Sequence, residues 1–453
     1  MPRSVTKTYF SHSSGKRVNT DSVIVQALQH EYPHLALVIA PEASSNLIAY
    51  ATSGHASFEV IEDVDGGPPP VVSWKVYLPP ARRIDGGIGA LADRVVFGKF
   101  LYKWNDAEFI VIRVDGRDGM SAYPEVTNYY ILTQDKHKAD ALCIAAGKWS
   151  NELHDEIWVF DRGYWQKNAD LYKSVMGASW DSVILDEDMK KNIINDHLSF
   201  FDSRETYKNL EVPWKRGIIY YGPPGNGKTI SIKAMMHTLY SREDPIPTLY
   251  VRTLTSFAGP EASISQIFNK ARQLAPCYLV FEDLDTIVSD NVRSYFLNEV
   301  DGLKSNDGIF MIGSTNHLDR LDPGISKRPS RFDRKYLFPD PNEEERTAYC
   351  KFWQSKLAQN KEIDFPDELC DAIAEITYDF SFAYMQEAFV AALLAIARKD
   401  KGIEYGNEEA RTGMNHVWVR LSDDGDDDNL DDLVLWVEIK KQVAILRESM
   451  EEE

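Results

Sequence analysis

The sequence predicts an α/β fold whose core is a five-stranded, mainly parallel sheet between helices. A helical subdomain follows this core, and a strand-rich α+β domain precedes it. Three patterns carry that expectation. Apolar runs at 218–221, 248–251, 278–281, 309–312 and 335–338 alternate with helix-length segments, the signature of a parallel sheet covered on both faces. A glycine-rich loop at 222–229 stands between the first of these runs and a helical stretch at 230–237. Residues 35–133 instead break into short β-type runs between turn clusters.

In chain order, residues 1–34 read as a flexible tail, and residues 35–179 as the strand-rich domain, a unit suited to binding a substrate or adaptor. Its β-type runs lie at 35–40, 46–51, 71–78, 97–103, 109–114 and 128–132. Gly66, Gly67, Pro68, Pro69 and Pro70 form a loop, since neither strand nor helix tolerates such a run in its interior. A helix over 136–153, a strand over 156–160 and a connector over 162–179 close this part. The α/β core occupies 180–340. Beyond Pro339 and Pro341 the apolar spacing becomes helical, predicting helices over 343–359, 366–376 and 382–399 in a subdomain over 341–402. Residues 403–453 read as an acidic extension, with five aspartates in 423–428 and a terminal Glu451-Glu452-Glu453. Such a run is a solvated tail or a docking site for a basic partner.

With 453 residues the chain is long enough for two or three domains, and 43% apolar residues exclude wholesale disorder. A net charge of −20 argues against a groove that tracks phosphodiesters, so no nucleic-acid partner is expected. Cys143, Cys277, Cys350 and Cys370 form no C-x-x-C pair, so they read as reduced, packed thiols and no structural zinc is expected. No run reaches the roughly 18 apolar residues of a membrane span. The expectation is a soluble intracellular protein without a membrane span. Arg3, Lys7, Lys16 and Arg17 stand in an acid-free start, which reads either as a plain tail or as an organelle transit segment. Cytoplasm or nucleus is the expected compartment, with the mitochondrial matrix as the alternative.

Gly222, Pro223, Pro224, Gly225, Asn226, Gly227, Lys228 and Thr229 meet the full G-x-x-x-x-G-K-[ST] pattern in the strand–loop–helix setting that it requires. Its glycines let backbone N–H groups face phosphate oxygens. The helix N-terminus adds partial positive charge, Lys228 reaches the β/γ-phosphates, and the Thr229 hydroxyl suits Mg²⁺. A bound nucleoside triphosphate with Mg²⁺ follows from this pattern. The apolar run 277–281 then ends in Glu282 and Asp283, with Asp285 beyond them. Phosphoryl transfer to water needs one carboxylate on the metal and another on the attacking water, and by position Glu282 takes the first role and Asp283 the second. The run 309–312 leads to Asn316, an amide suited to the γ-phosphate or the water. Arg328 and Arg331 stand on a proline-bearing loop and read in two ways: as a surface ion-pair cluster, or as guanidinium donors to a neighbouring subunit's nucleotide.

These four elements, in this order, resemble the AAA family of ATPases over residues 180–399. The resemblance makes 222–229 the Walker A loop, Glu282 and Asp283 the Walker B pair, Asn316 sensor one, and Arg328 and Arg331 the arginine fingers. It also implies a homo-oligomeric ring, a hexamer or heptamer, with ATP at the subunit joints. AAA proteins usually carry Asp-Glu where this chain has Glu282-Asp283. That inverted order resembles the branch of the mitochondrial chaperone that translocates the folded Rieske iron–sulfur protein. So do residues 180–186, the spacing from Asp196 through Phe200 and Phe201 to Tyr207, residues 213–217, and the strand-rich domain in front. The membrane helix that those chaperones carry has no counterpart here, and a soluble relative is expected.

Thr255-Ser256-Phe257-Ala258-Gly259 resembles the aromatic–x–Gly pore loop of unfolding AAA rings, in which Phe257 would grip an extended polypeptide. The other reading is a loop aromatic packed on its own subunit. The function expected is a ring-forming ATPase that remodels, unfolds or translocates a protein client. An ATP-gated oligomeric scaffold with little hydrolysis is the alternative, kept open by the Glu282-Asp283 order.

Overall fold

The computed structural model describes residues 5–13, 15, 19–61, 70–80, 84, 87–116, 127–302, 304–328, 331–360, 362–400 and 430–451. The chain divides into two compact units, Met1–His154 and Asp155–Glu453.

The first unit is built on strands β1 (Ala36–Pro41), β2 (Ser57–Val60), β3 (Val71–Leu78), β4 (Ala90–Trp104), β5 (Ala107–Asp115) and β6 (Thr127–Thr133). They form one antiparallel sheet in the order β1-β6-β5-β4-β2, with β3 also paired to β4. Period-two alternation divides its side chains between two faces. Phe109, Val111, Tyr129 and Ile131 pack under Ala139, Leu142 and Ala146 of the helix Lys136–Asn151, while Ile112, Val114, Tyr130 and Leu132 pack with Leu28.

Leu28 belongs to the helix Thr20–Glu31, so this part of the expected tail is ordered structure. Asn19 caps it by accepting from the Ser22 N–H, and Asp21 accepts from Asn128 (3.1 Å) and Tyr130 on β6. The run 46–51, expected as a strand, is the helical turn Leu47–Tyr50. The Asn46 carboxamide oxygen accepts from the Ala49 N–H at 2.9 Å, a cap that settles the ambiguity of a short apolar run.

The second unit contains β7 (Ile157–Asp161), β8 (Tyr164–Asn168), β9 (Lys215–Tyr221), β10 (Thr248–Val251), β11 (Cys277–Phe281), β12 (Ile309–Thr315) and β13 (Arg334–Leu337). Their order is β13-β9-β12-β11-β10-β7-β8, parallel throughout except for the antiparallel edge pair β7–β8. The five expected strands are therefore a contiguous run from the edge strand β13 to β10 of a seven-stranded sheet, which β7 and β8 extend beyond β10. The strand placed at 156–160 belongs to this sheet and not to the N-terminal domain, and the expected connector contains β8 and the helix Ala169–Met176. β8 escapes a hydrophobic reading because Tyr164-Trp165-Gln166-Lys167-Asn168 is an edge strand with polar residues, reached through a tight turn with Arg162 and Gly163 at φ 51° and 89°.

A helical subdomain follows, made of Glu343–Leu357, Asp367–Ile376, Phe382–Asp400 and Val434–Glu451. The last helix lies in the expected acidic extension, yet its Leu435, Trp436, Ile439 and Val443 are buried against Cys370, Ile373, Met385 and Phe389. Arg447 ties it down by donating to the carbonyls of Ile376 (2.8 Å) and Tyr378 (3.1 Å). The aspartate run at 423–428 lies outside the described residues. Among the described residues, no helix is long and apolar enough to cross a membrane.

Beneath the large sheet His197 is fully buried, with its Nδ1 at 2.7 Å from the Ile193 carbonyl and its Nε2 at 3.3 Å from the Tyr278 hydroxyl. Burial pushes its pKa from 6.5 down to about 4. The folded protein thus refuses a proton that the unfolded chain accepts below pH 6.5, so this group's stability contribution is complete above that pH and is lost as pH falls towards 4. Urea titrations should show about 2–3 kcal/mol lost between pH 7 and 4.5 that is missing in His197→Phe; equal pH slopes in the two proteins would refute this. Trp436→Ala should cost about 3–5 kcal/mol, read as a lowered denaturation midpoint. An unchanged midpoint would show that the terminal helix does not complete the helical core.

Candidate active site

The carboxyl ends of β9, β12 and β11 lie side by side because these strands are parallel neighbours, with Tyr221 opposite Thr315 and Phe281 opposite Gly313. Segments leaving those ends deliver the glycine loop, Glu282-Asp283 and Asn316 to one edge. This is the end of an open α/β sheet at which ligands bind.

The glycine loop takes its shape from its surroundings. A Cβ at Gly222 would stand 2.2 Å from the Phe338 carbonyl oxygen, and one at Gly225 would stand 2.5 Å from Ala383 Cβ, so the loop lies against both β13's exit and the helical subdomain. Asn226 is buried, and its Nδ2 donates to Asp340 at 2.8 Å. The helix Lys228–Tyr240 begins at the loop and anchors on Ile232, Met235, Met236 and Leu239 in the core, with Thr229 exposed in its first turn. Its first-turn N–H groups have no intrahelical acceptors, which suits an anion.

Lys228 is buried, and its Nζ donates to the carbonyls of Gly222 and Pro223, both at 2.7 Å. Burial lowers its pKa, and the charges of Asp283 and Asp285 oppose that shift. The ammonium therefore sits within the field of the carboxylates after β11. Glu282 accepts from the Tyr250 hydroxyl through Oε2, while its Oε1 is buried with no partner among the described residues. Asn226 Oδ1 is buried and partnerless in the same way. A buried carboxylate oxygen without a donor suits a divalent cation, and an ammonium beside a helix start suits phosphate, so these residues fit Mg²⁺ and a triphosphate.

Asp283 is exposed and stands in the left-handed region at φ 50° and ψ 55°, which aspartate tolerates better than most residues. Its N–H donates to Ser314 Oγ at 3.2 Å. Thr315 Oγ1 donates to Asp285 at 2.7 Å and accepts from the His317 N–H at 2.9 Å. Half-buried Asn316 lies between these fastened residues.

Tyr250, Asp285, Ser314, Thr315 and Asp340 complete the site without having been singled out as site residues in the sequence. Asp285 and Thr315 lie inside the motif segments and are legible from proximity alone. Tyr250 and Asp340 carry no sequence signal, since strand pairing brings them in. Burial and the Glu282 charge raise the Tyr250 pKa, which keeps its hydroxyl a donor.

The two candidate arginines differ sharply. The Arg331 side chain is 6% exposed, and its Nε and Nη2 donate to the two carboxylate oxygens of Asp301 at 2.8 and 2.6 Å, with Nη1 on the Gly324 carbonyl. The Arg328 side chain is 62% exposed and meets Asp301 only at 3.6 Å. In this chain Arg331 is thus occupied as a fastener of the loop, and Arg328 is the guanidinium that faces outward. Phe257 is fully exposed on the loop between β10 and the helix Pro260–Leu274, where nothing in its own unit covers it. That loop is braced by Ser256 Oγ donating to the Gly259 carbonyl at 2.8 Å and by Arg252 pairing with Asp161 at 3.3 Å.

Residues 218–340, from β9 to just past β13, match the model of the ATPase family associated with various cellular activities (AAA). The match supports membership of that family and covers the glycine loop, Glu282-Asp283, Asn316 and both arginines.

The contrast between the arginines has a direct consequence. Arg331→Ala should lower stability by about 2 kcal/mol, the scale of a lost hydrogen bond to a charged group, whereas Arg328→Ala should stay within about 0.5 kcal/mol of wild type. Chemical denaturation of the two variants checks this, and equal losses would refute the distinction.

Proposed function

We propose that this AAA-domain protein is an ATP-hydrolysing, ring-forming ATPase that uses turnover to remodel, unfold or translocate a protein client. The observation that carries the proposal is the shared edge of β9, β12 and β11, at which Lys228, Glu282, Asp283 and Asn316 are delivered together.

Lys228 and the N–H groups of 225–229 bind the phosphates. Thr229 and Glu282 Oε1 would hold Mg²⁺, whose charge offsets that of the phosphates when it is bound. Asp283 accepts the proton of the attacking water as the water oxygen bonds to the γ-phosphorus, and the bond from that phosphorus to the β,γ-bridging oxygen breaks to leave ADP. Asn316 orients the water or the γ-phosphate. Exposed Arg328 reaches a neighbouring subunit's nucleotide, and Arg331 holds the loop that presents it. Exposed Phe257 supports a polypeptide-gripping role at the ring's pore, with the N-terminal unit selecting the client. The Glu282-Asp283 order and the strand-rich unit in front support a place beside the Rieske-protein translocase branch.

The same order supports the second reading, an ATP-gated scaffold, because Asp283 is one methylene shorter than the usual glutamate. Turnover per subunit should rise with protein concentration and fall by about 10²–10⁴ in Asp283→Asn. Arg328→Ala should abolish the concentration dependence while leaving ATP binding intact. Equal and negligible rates in wild type and Asp283→Asn would favour the scaffold. A concentration-independent rate would remove the role of Arg328 in a neighbour's site.

A further inference from the structure

We propose that Tyr250 is a positioning residue for the metal carboxylate: its hydroxyl holds one oxygen of Glu282 and so aims the other at the divalent cation. The proposal rests on the reading of Glu282 as that carboxylate.

Tyr250 stands on β10 directly opposite Val280 of β11, and Glu282 comes two residues after Val280. Side chains two apart on a strand share a face, so Tyr250 and Glu282 meet across the ladder at its carboxyl end. Tyr250 donates to Glu282 Oε2. Glu282 Oε1 is buried with no partner among the described residues. One oxygen is thus fixed by a neighbouring strand and the other left available. A carboxylate held on one side by a donor has its orientation set before the cation arrives, and partners of this kind tune metal affinity.

The geometry also gives the unusual residue order a purpose. Glutamate at 282 has the extra methylene needed to meet the Tyr250 hydroxyl while its second oxygen stays at the site; aspartate there would withdraw the carboxylate from β10. Tyr250 and Glu282 are accordingly a matched pair, and the longer side chain at the metal position is tied to the phenol on the adjacent strand.

Tyr250→Phe removes the hydroxyl and keeps the ring. The test is Mg²⁺ titration of the full-length protein with a fluorescent ATP analogue, read as nucleotide binding and not as turnover. The Mg²⁺ concentration at half-maximal enhancement should rise about 10-fold or more in Tyr250→Phe, within the range for lost partners of metal ligands. Nucleotide binding without Mg²⁺ should be unchanged. Glu282→Gln should raise the Mg²⁺ requirement at least as far, and in a Glu282→Asp background Tyr250→Phe should have no further effect. An unchanged Mg²⁺ requirement in Tyr250→Phe, with Glu282→Gln shifted, would overturn the positioning role alone. No shift in Glu282→Gln would instead overturn the reading of Glu282 beneath it. If Tyr250→Phe loses Mg²⁺-free binding or thermal stability, or if its effect persists beside Glu282→Asp, the tyrosine is structural and the proposal fails.

Discussion

The parallel pairing of β9 with β12 and of β12 with β11 is the constraint on which the active edge depends. Parallel ladders bring all carboxyl ends to one side, so three chain segments that are remote in sequence leave the sheet as neighbours. That arrangement is stable only because both faces are covered. Ile218, Tyr220, Tyr278, Val280, Phe310 and Ile312 are buried with residues of the helix Lys228–Tyr240, which carries Lys228 and Thr229 at its start. The helix proposed to bind phosphate at its start is therefore anchored by the same core that aligns the carboxylates. Moving one strand by a residue would turn core side chains outward and take the site apart.

A second organising group is Asp301, at the end of the helix Asp290–Asp301. Its carboxylate receives two donors from Arg331, and this pairing draws its own pKa below the usual carboxylate value. The fork fits a carboxylate bidentately, which fixes direction as well as position. With one arginine held this way, the other on the same loop is left at the surface. Two residues of one type, three positions apart, thus acquire different environments from a single carboxylate.

Much of this was legible from residues. The loop 222–229, the carboxylates after 281 and the amide at 316 follow from the number of backbone N–H groups and charges that a triphosphate needs, and strand–loop–helix alternation marks their setting. The spacing that predicts helices over 343–359, 366–376 and 382–399 corresponds to the helices Glu343–Leu357, Asp367–Ile376 and Phe382–Asp400. Elsewhere a local contact overrides a weak sequence pattern. Asn46 capped a turn where a strand was expected, and polar β8 joined a sheet through a tight turn. The terminal helix hid its apolar face, Leu435, Trp436 and Ile439, behind an acidic composition.

The sequence alone determined which chemical groups the site would hold, because a phosphate cradle and a carboxylate pair require particular residue types at short spacing. Tertiary structure alone decided which side chain serves which partner. Tyr250 meets Glu282 because β10 and β11 pair in one register, Arg331 meets Asp301 because a loop folds onto a helix end, and Phe257 stays exposed because nothing in its own unit covers it. Those outcomes depend on distances between segments far apart in the chain, and such distances exist only once the sheet has formed.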